Sequence, residues 1–203
     1  MKKRIIIFLF VILLMTTTFS SLYAITFTDL SGTHWAYNNV MYLAEKGIIN
    51  GYENGTYKPE RSVSRGEFIK LVMTALYGGN EYFEVNNFNL GHWATPYAIE
   101  AARLGYLMDE TGITNLNDSI TRLEMVHILA KVCSDNRIEK EEPITTIQFS
   151  DISQLDEESQ IYIEYVTQNG LINGYTDGTF KASKTMTRAE VATVMCRFFS
   201  LMD

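Results

Sequence analysis

Three arginine residues each directly follow a serine or threonine that precedes a glutamate by three residues. They are Arg65, Arg122 and Arg188, after Ser64, Thr121 and Thr187 and before Glu67, Glu124 and Glu190. The pattern predicts a capping box, so each arginine stands at the first position of a helix, where the macrodipole disfavours a cation. A compensating anion is therefore expected at each arginine. It is either an internal carboxylate, such as Asp29, Asp151 or the box glutamate, or an external carboxylate or phosphate held by the arginine and free backbone amides.

Aromatic residues beside glycine form a second group that could bind a ligand. Tyr52 follows Gly51 and Tyr175 follows Gly174, so a flat sugar ring could approach the backbone closely at either loop. Trp35 and Trp93 are further candidates, although a tryptophan near the start of an amphipathic helix usually serves packing. The residues alone leave both roles open for the tryptophans.

Catalytic and metal-binding patterns are missing from the sequence. The three histidines, His34, His92 and His127, form no zinc-binding motif, and the sequence has neither a nucleophile elbow nor a glycine-rich phosphate loop. The acidic stretch 139–142 is interpreted as a solvated linker rather than a calcium site. We therefore predict no catalytic residue, no metal site and no cofactor.

The candidate residues recur because the chain repeats itself three times. Phe27, Phe88 and Phe149 are spaced by 61 residues, and a constant offset of 123 relates the first copy to the third over twenty positions. The middle copy retains its beginning and its capping box, but residues 109–117 replace the glycine–tyrosine loop. We predict copies over 25–85, 86–146 and 147–203.

Each copy is predicted to contain a helix, a tight turn and a second helix. The first helix ends at Gly47, Gly105 or Gly170, and Asn54-Gly55 or Asp177-Gly178 marks the turn. The second helix begins at the capping box and carries one apolar stripe. These apolar stripes predict a mainly α fold, with the three second helices packed as a central bundle and the rest of each copy projecting outward.

Composition restricts the possible partners. The chain has 203 residues, of which 46% are apolar and 20% charged, which suits a folded protein rather than a disordered one. Its net charge of −7, with the basic residues 2–4 in a separate leader, argues against binding nucleic acid or anionic lipid through bulk charge. Cys133 and Cys196 do not occupy matching positions and are predicted to be buried thiols rather than a disulfide.

The N-terminal segment has the layout of a secretory signal peptide. Basic residues 2–4 precede an apolar run over 5–15, which is short for a membrane span, and Ala24 ends the segment. We predict cleavage after Ala24, and an uncleaved N-terminal anchor is the alternative. The leader has no cysteine for lipid attachment.

The ordered motifs resemble the S-layer homology domain of bacterial surface proteins. They are Phe-x-Asp, His-Trp-Ala, Gly-Ile-Ile-Asn-Gly-Tyr-x-x-Gly-Thr-Tyr and the Thr-Arg-Ala-Glu box, which is complete at Thr187–Glu190. The resemblance covers essentially everything after the leader. It implies a pseudo-threefold spindle of helix-loop-helix repeats around the central bundle, attached noncovalently to secondary cell-wall polysaccharide, often pyruvylated, in grooves between the prongs.

The resemblance also assigns roles to residues. In the family, the arginine of the box is associated with gripping the acidic sugar, and that role falls on Arg65, Arg122 and Arg188. Copy three has Glu157-Glu158 where the others have His-Trp, and copy two lacks the glycine–tyrosine loop, so one or two grooves are expected to bind weakly or not at all. The resulting prediction is a secreted, monomeric, noncatalytic wall-binding module at the cell surface. A protein-interaction scaffold is the alternative, and a glycan hydrolase using Asp29 or Asp151 is a distant third.

Overall fold

Six α-helices make up the regular structure of the described residues. The computed structural model describes residues 25–77, 91–108, 114–139 and 148–202. The predicted leader and Phe88 lie outside these ranges. The helices are, in chain order, α1 Tyr37–Glu45, α2 Arg65–Tyr77, α3 Thr95–Arg103, α4 Arg122–Asn136, α5 Glu157–Gln168 and α6 Arg188–Met202. The predicted mainly α fold is therefore confirmed, and no strand occurs in the described ranges.

Local signals in the sequence set the helix boundaries as predicted. The capping glycines Gly47, Gly105 and Gly170 have φ values of 70°, 74° and 70°, the left-handed conformation that closes a helix. The turns at Gly55 and Gly178 also have positive φ. In each turn the tyrosine amide donates to the threonine carbonyl, from Tyr52 to Thr56 and from Tyr175 to Thr179, both at 2.8 Å.

All three capping boxes are present at the second helices. Ser64 and Thr121 each accept a hydrogen bond from the glutamate amide three residues later at 3.2 Å, and so does Thr187. The glutamate carboxylates accept in return from the cap amides at 2.8–2.9 Å. The apolar stripes of these helices belong to one hydrophobic core, which includes Phe68, Val72, Met125, Leu129, Val191 and Met195.

Consecutive copies are joined in a cyclic order. Helix α2 packs against α3, α4 against α5, and α6 against α1, so the second helix of each copy contacts the first helix of the next. At the residue before each cap, the amide of Val63 donates to Met186, that of Met186 to Ile120, and that of Ile120 back to Val63, at 2.9–3.1 Å. We call these three hydrogen bonds the backbone ring. The spindle with a central three-helix bundle stays a prediction.

Two remaining sequence expectations concern the cysteines and the membrane. Cys133 is a buried free thiol, and Cys196 is a half-buried one. Within the described residues, none of the helices has both the length and the apolar character needed to cross a membrane.

Candidate functional site

The helix starts that carry the arginines are not open anion sites. The amides of Arg65 and Gly66 donate to the carbonyls of Asp118 and Leu116, both at 2.9 Å. The amides of Arg122, Leu123, Arg188 and Ala189 make the equivalent bonds to the copy that follows in the cyclic order. The expectation of free amides at these helix starts is therefore wrong, because docking of the copies satisfies them with backbone carbonyls.

Arg122 and Arg188 hold the loop of a neighbouring copy through neutral groups. Arg122 is only 4% exposed and donates from Nε to the Phe180 carbonyl at 2.8 Å and from Nη2 to the Asn173 carbonyl at 3.0 Å. Arg188 donates to the carbonyls of Tyr57 and Asn50 at 2.7 and 2.8 Å. Both guanidinium groups also lie over tyrosine rings, Tyr175 for Arg122 and Tyr52 and Tyr57 for Arg188. Neither guanidinium bonds to a carboxylate in these contacts, although Asp151 acts on Arg122, and Asp29 on Arg188, through longer-range electrostatics.

Arg65 differs because carboxylates neutralise it. Its Nε lies 2.5 Å from Oε1 of Glu124, and its Nη1 lies 3.2 Å from Oδ2 of Asp118. Burial alone would lower the pKa of Arg65, but the bonds to Glu124 and Asp118 outweigh it and raise that pKa. Arg65 therefore makes an internal ion pair, with Asp118 and with the box glutamate of the second copy, and not with Asp29, Asp151 or its own box glutamate.

Asp29 and Asp151 fasten the loop that follows each turn. Asp29 accepts from the amides of Tyr57 and Lys58 at 2.6 and 2.8 Å, and Asp151 accepts from Phe180 and Lys181 at 2.7 and 2.8 Å. Burial is the largest single influence and raises the pKa of each carboxyl, but the backbone amides together outweigh it and lower that pKa below its usual value. Both aspartates are therefore ionised at neutral pH and bound to the backbone.

The glycines beside the loop tyrosines are covered by the chain's own aromatic rings. A Cβ atom on Gly51 would lie 2.4 Å from Cε1 of Phe27, and one on Gly174 would lie 2.0 Å from Cε1 of Phe149. The sequence led us to expect that a sugar ring could approach the backbone at these glycines. In the structure, Phe27 and Phe149 occupy that space. Tyr52 and Tyr175 stay half-buried, with Lys58 and Lys181 at 4.1 and 4.2 Å from their ring centroids.

One cleft brings together residues from all three copies. It has a volume of about 250 Å³, and we call it the Arg188 cleft. The first copy contributes Asn50, Tyr57 and Lys70, the second contributes Trp93, and the third contributes Arg188. Apolar side chains line the cleft between these polar groups, including Ile48, Leu71 and Val191.

The cations of the Arg188 cleft outnumber its available anions. Glu67 also lines the cleft, but its carboxylate is bound by Arg61 and by the Ser64 amide. Lys70 lies 5.9 Å from the ring centroids of both Trp93 and Tyr97. Arg188 and Lys70 therefore present positive charge in a cleft of an otherwise acidic chain.

Both tryptophans lie at the surface. Trp35 is 61% exposed and Trp93 is 54% exposed, so core packing, the usual role for such residues, does not explain them. Trp93 lines the Arg188 cleft, whereas Trp35 belongs to the first copy and does not line that cleft. Each ring lies against the preceding histidine, with centroids 5.5 Å apart for His34 and Trp35 and 5.3 Å apart for His92 and Trp93.

A smaller cleft surrounds Arg65, and we call it the Arg65 cleft. It measures about 40 Å³ and is lined by Arg65, Ile69, Leu107, Met108, Ile120, Glu124 and Ile128. Its arginine is already paired with two carboxylates. The two clefts are thus equivalent in their position relative to the box arginine but differ in size and charge.

Sequence reasoning missed Lys70 because the repeat gives no signal for it. The box spacing places His127 in the second copy and Thr193 in the third at the matching position. Sequence reasoning also missed the contacts of His34 and His92, whose Nδ1 atoms accept from the amides of Ala36 and Ala94, the residues just before α1 and α3, at 3.1 Å.

Comparison with known families identifies two segments of the chain. The family model described as the S-layer homology domain matches residues 26–69 and 148–192, which fall in the first and third predicted copies. The middle copy is not matched, although it has the same pair of helices and the same capping box.

Individual proteins also match the chain over part of its length. The chain is 30% identical over 179 residues to "Exoglucanase XynX" of Acetivibrio thermocellus, covering 85% of this chain and 16% of that protein. It is 25% identical over 172 residues to "S-layer protein" of Bacillus thuringiensis subsp. finitimus, covering 82% of this chain and 20% of that protein. It is 31% identical over 116 residues to "Cellulosome-anchoring protein" of Acetivibrio thermocellus, covering 52% of this chain and 25% of that protein. The chain therefore spans a quarter or less of each of these proteins.

Proposed function

We propose that this chain, which carries S-layer homology segments in its first and third copies, attaches noncovalently to acidic polysaccharide of the bacterial cell wall. The relative named for S-layers matches 82% of this chain and the relative named for cellulosome anchoring matches 52%, which together with the two segments supports a location at the cell wall and cell surface. The middle copy is the third repeat of the same module in this proposal. Its capping box and its place in the backbone ring support this assignment.

The single observation that carries the proposal is the chemistry of the Arg188 cleft. Two cations, Arg188 and Lys70, face the same space as an exposed tryptophan and several aliphatic side chains. A sugar bearing a carboxylate needs these groups, because the charge pairs with the cations while the apolar face of the ring stacks on the indole. A ketal-linked pyruvate would add a methyl group that the aliphatic wall can cover. The Arg188 cleft is accordingly the principal glycan site.

The other two box arginines are less available for an external anion. Arg122 is nearly inaccessible, and Arg65 is neutralised by Glu124 and Asp118. We assign both arginines to holding neighbouring copies together, with any glycan contact secondary to that role. The chain then binds the polymer chiefly through one cleft, as a monomer whose three copies complete one site.

The chain acts as an anchor rather than as an enzyme in this proposal. The relatives with enzyme names are covered over a small share of their length, 16% for the exoglucanase. The aspartates that a hydrolase would need, Asp29 and Asp151, hold backbone amides with both carboxylate oxygens. Each is therefore poorly placed to protonate a glycosidic oxygen or to attack an anomeric carbon.

Cosedimentation with cell-wall sacculi tests the proposal. Residues 25–203 are expected to pellet with native sacculi and to stay in solution with sacculi whose secondary polymers have been chemically stripped. Lys70→Ala is the sharpest variant, because the Lys70 contacts in the described structure are with aromatic rings and its loss removes charge without breaking an ion pair. We expect it to weaken binding about tenfold.

A matched control uses a lysine outside the cleft. Lys46 is exposed after α1 and also lies over a tyrosine ring, that of Tyr42 at 5.7 Å. Lys46→Ala is expected to bind native sacculi like the parent. Equal pelleting with native and stripped sacculi, or no pelleting with either, would contradict the proposal, and the second result would favour a protein partner.

A further inference from the structure

The indole of Trp93 is exposed and lines the cleft, so its orientation decides whether a ligand ring can stack on it. Its side chain is more than half exposed, and a large aromatic ring at the surface loses rotational freedom when it is held in one orientation. The neighbouring groups are Lys70, whose Nζ is 5.9 Å from the ring centroid, and the imidazole of His92 at 5.3 Å with an interplanar angle of 33°. Lys70 is itself a flexible side chain, so His92 is the rigid neighbour.

His92 is held from three directions. Its Nδ1 accepts from the Ala94 amide at 3.1 Å, and its Nε2 lies 3.0 Å from Oδ1 of Asn117. Because Nδ1 accepts a hydrogen bond, the proton of the neutral ring is on Nε2, which donates to Asn117. The third side is Gly66, where a Cβ atom would lie 3.2 Å from Cε1 of His92 and 2.9 Å from Cβ of Ala94.

Gly66 belongs to the packing around His92. The other two boxes have Leu123 and Ala189 at the matching position, and glycine is a poorer helix former than either. Only the first box has this glycine, and it is the box helix against which His92 and Ala94 pack. The absence of a side chain there leaves room first for Ala94 and then for His92 and the Leu116 carbonyl, both of which lie 3.2 Å from where a Cβ atom would be.

We propose that His92 is a positioning residue that holds Trp93 over the Arg188 cleft, and that Asn117 and Gly66 hold His92 in turn. This inference rests on the proposed function for its binding consequence, but the orientation of Trp93 can be measured without any glycan. His34 and Trp35 form a second histidine–tryptophan pair that does not line this cleft, which supplies an internal comparison.

The first experiment measures the mobility and accessibility of Trp93. Trp35 and Trp93 are the two tryptophans of the chain, so Trp35→Phe gives a protein whose indole signal comes from Trp93 alone. In this background, His92→Ala is expected to lower the fluorescence anisotropy and to raise acrylamide quenching about twofold. His92→Asn is expected to behave like His92→Ala, because its carbonyl can accept from the Ala94 amide but it has no ring to lie against the indole of Trp93. His34→Ala is the matched control and is expected to leave the Trp93 signal unchanged.

The second experiment measures binding of the same proteins to native sacculi. His92→Ala and His92→Asn are each expected to weaken binding about three- to tenfold relative to the Trp35→Phe background. If His92→Ala unfolds, Asn117→Ala replaces it, since that change removes only the partner of Nε2 on an exposed loop residue.

The outcomes separate the two proposals. Unchanged anisotropy and quenching in both His92→Ala and Asn117→Ala would overturn the positioning role, and so would an equal change in His34→Ala. Failure of the parent to pellet with native sacculi would overturn the proposed function alone, because the fluorescence comparison would still decide whether His92 orients Trp93. A change in fluorescence without a change in sacculus binding would overturn the link between His92 and the glycan.

Discussion

Nε of Arg65 donates to Oε1 of Glu124 at 2.5 Å, linking the first residue of α2 to the third residue of α4. Glu124 uses its other oxygen to cap its own helix through the Thr121 amide. One carboxylate therefore completes a capping box and neutralises the arginine of a different copy. Glu67 and Glu190 pair instead with Arg61 and Lys184, which leaves Arg188 and Arg122 bound to carbonyl groups.

Because Arg65 is paired with a carboxylate and Arg188 is not, changing these two arginines should weaken binding to the cell wall unequally. Arg188→Gln should weaken binding to native sacculi at least about tenfold, because it removes an available charge from the larger cleft. Arg65→Gln should weaken it less than about twofold, because Glu124 and Asp118 already satisfy that charge. Cosedimentation isotherms measure the losses, and thermal unfolding of both variants controls for destabilisation. Equal losses from proteins of equal stability would show that the Arg65 cleft binds as well.

Gly174→Ala should destabilise the third copy by about 2–4 kcal/mol. The new methyl group would lie 2.0 Å from Cε1 of Phe149, a buried ring that cannot move aside without opening the core. Chemical denaturation gives the free energy of unfolding. Gly32→Ala is the matched control, since a Cβ atom there meets nothing within 4 Å. A loss of stability at Gly174 no larger than that at Gly32 would contradict the packing.

The local structure could be predicted from sequence because its causes are local. A serine or threonine three residues before a glutamate makes a capping box, and glycine closes a helix, whatever the rest of the chain does. All three boxes and the closing glycines Gly47, Gly105 and Gly170 are therefore where the sequence indicates. The mainly α fold follows from these signals together with the apolar stripes.

The partners of the arginines could not be predicted because they come from another copy and are mostly backbone atoms. A carbonyl group such as that of Asn50 or Asn173 has no sequence signature, since every residue has one. The same limit applies to Lys70, which enters the cleft although the repeat does not preserve lysine at its position. The sequence identified which residues are unusual, and the docking of the copies determined what they contact.

Asp151→Asn should destabilise the protein by about 1–2 kcal/mol. The carboxylate accepts from the amides of Phe180 and Lys181, and an amide side chain can accept with only one oxygen. The loss is kept small because Asp151 is partly exposed and solvent screens its charge. Lys181 has a φ of 59°, a conformation that is uncommon for lysine, and the bond from its amide to Asp151 is one contact that favours it. Glu53→Gln, which changes an exposed carboxylate in the first turn, is the control and should leave the free energy of unfolding unchanged.

Stability should fall as the pH is lowered below about 4. Hydrogen bonds from the backbone amides lower the pKa of Asp29 and of Asp151 in the folded protein despite the opposing effect of burial. Their contribution is therefore complete above the ordinary aspartate pKa and is lost as the pH falls through the lowered values. Denaturant midpoints at about pH 7 and about pH 3 measure this loss. The double variant Asp29→Asn with Asp151→Asn should show a smaller change between the two pH values, and an unchanged difference would assign the acid sensitivity to other carboxyls.

Removing the third copy should unfold the other two. The backbone ring joins Val63, Ile120 and Met186, so residues 25–146 alone would leave the Val63 amide without the Met186 carbonyl and the Ile120 carbonyl without the Met186 amide. The same deletion takes away α5, against which α4 packs, and α6, against which α1 packs. Each exposed polar group costs little in water, but each large apolar side chain uncovered from the two helix pairs costs about 1.5–3 kcal/mol, so losing several of them matches the roughly 5–15 kcal/mol stability of a whole domain.

Circular dichroism and hydrogen exchange of residues 25–146 test this prediction against residues 25–203. We expect lower helicity and rapid exchange at Ile120 in the shortened protein. Adding residues 147–203 in trans should restore protection if the copies dock as they do in the intact chain. A cooperative thermal transition in residues 25–146 alone would show that two copies suffice and that the ring contributes to docking rather than to folding.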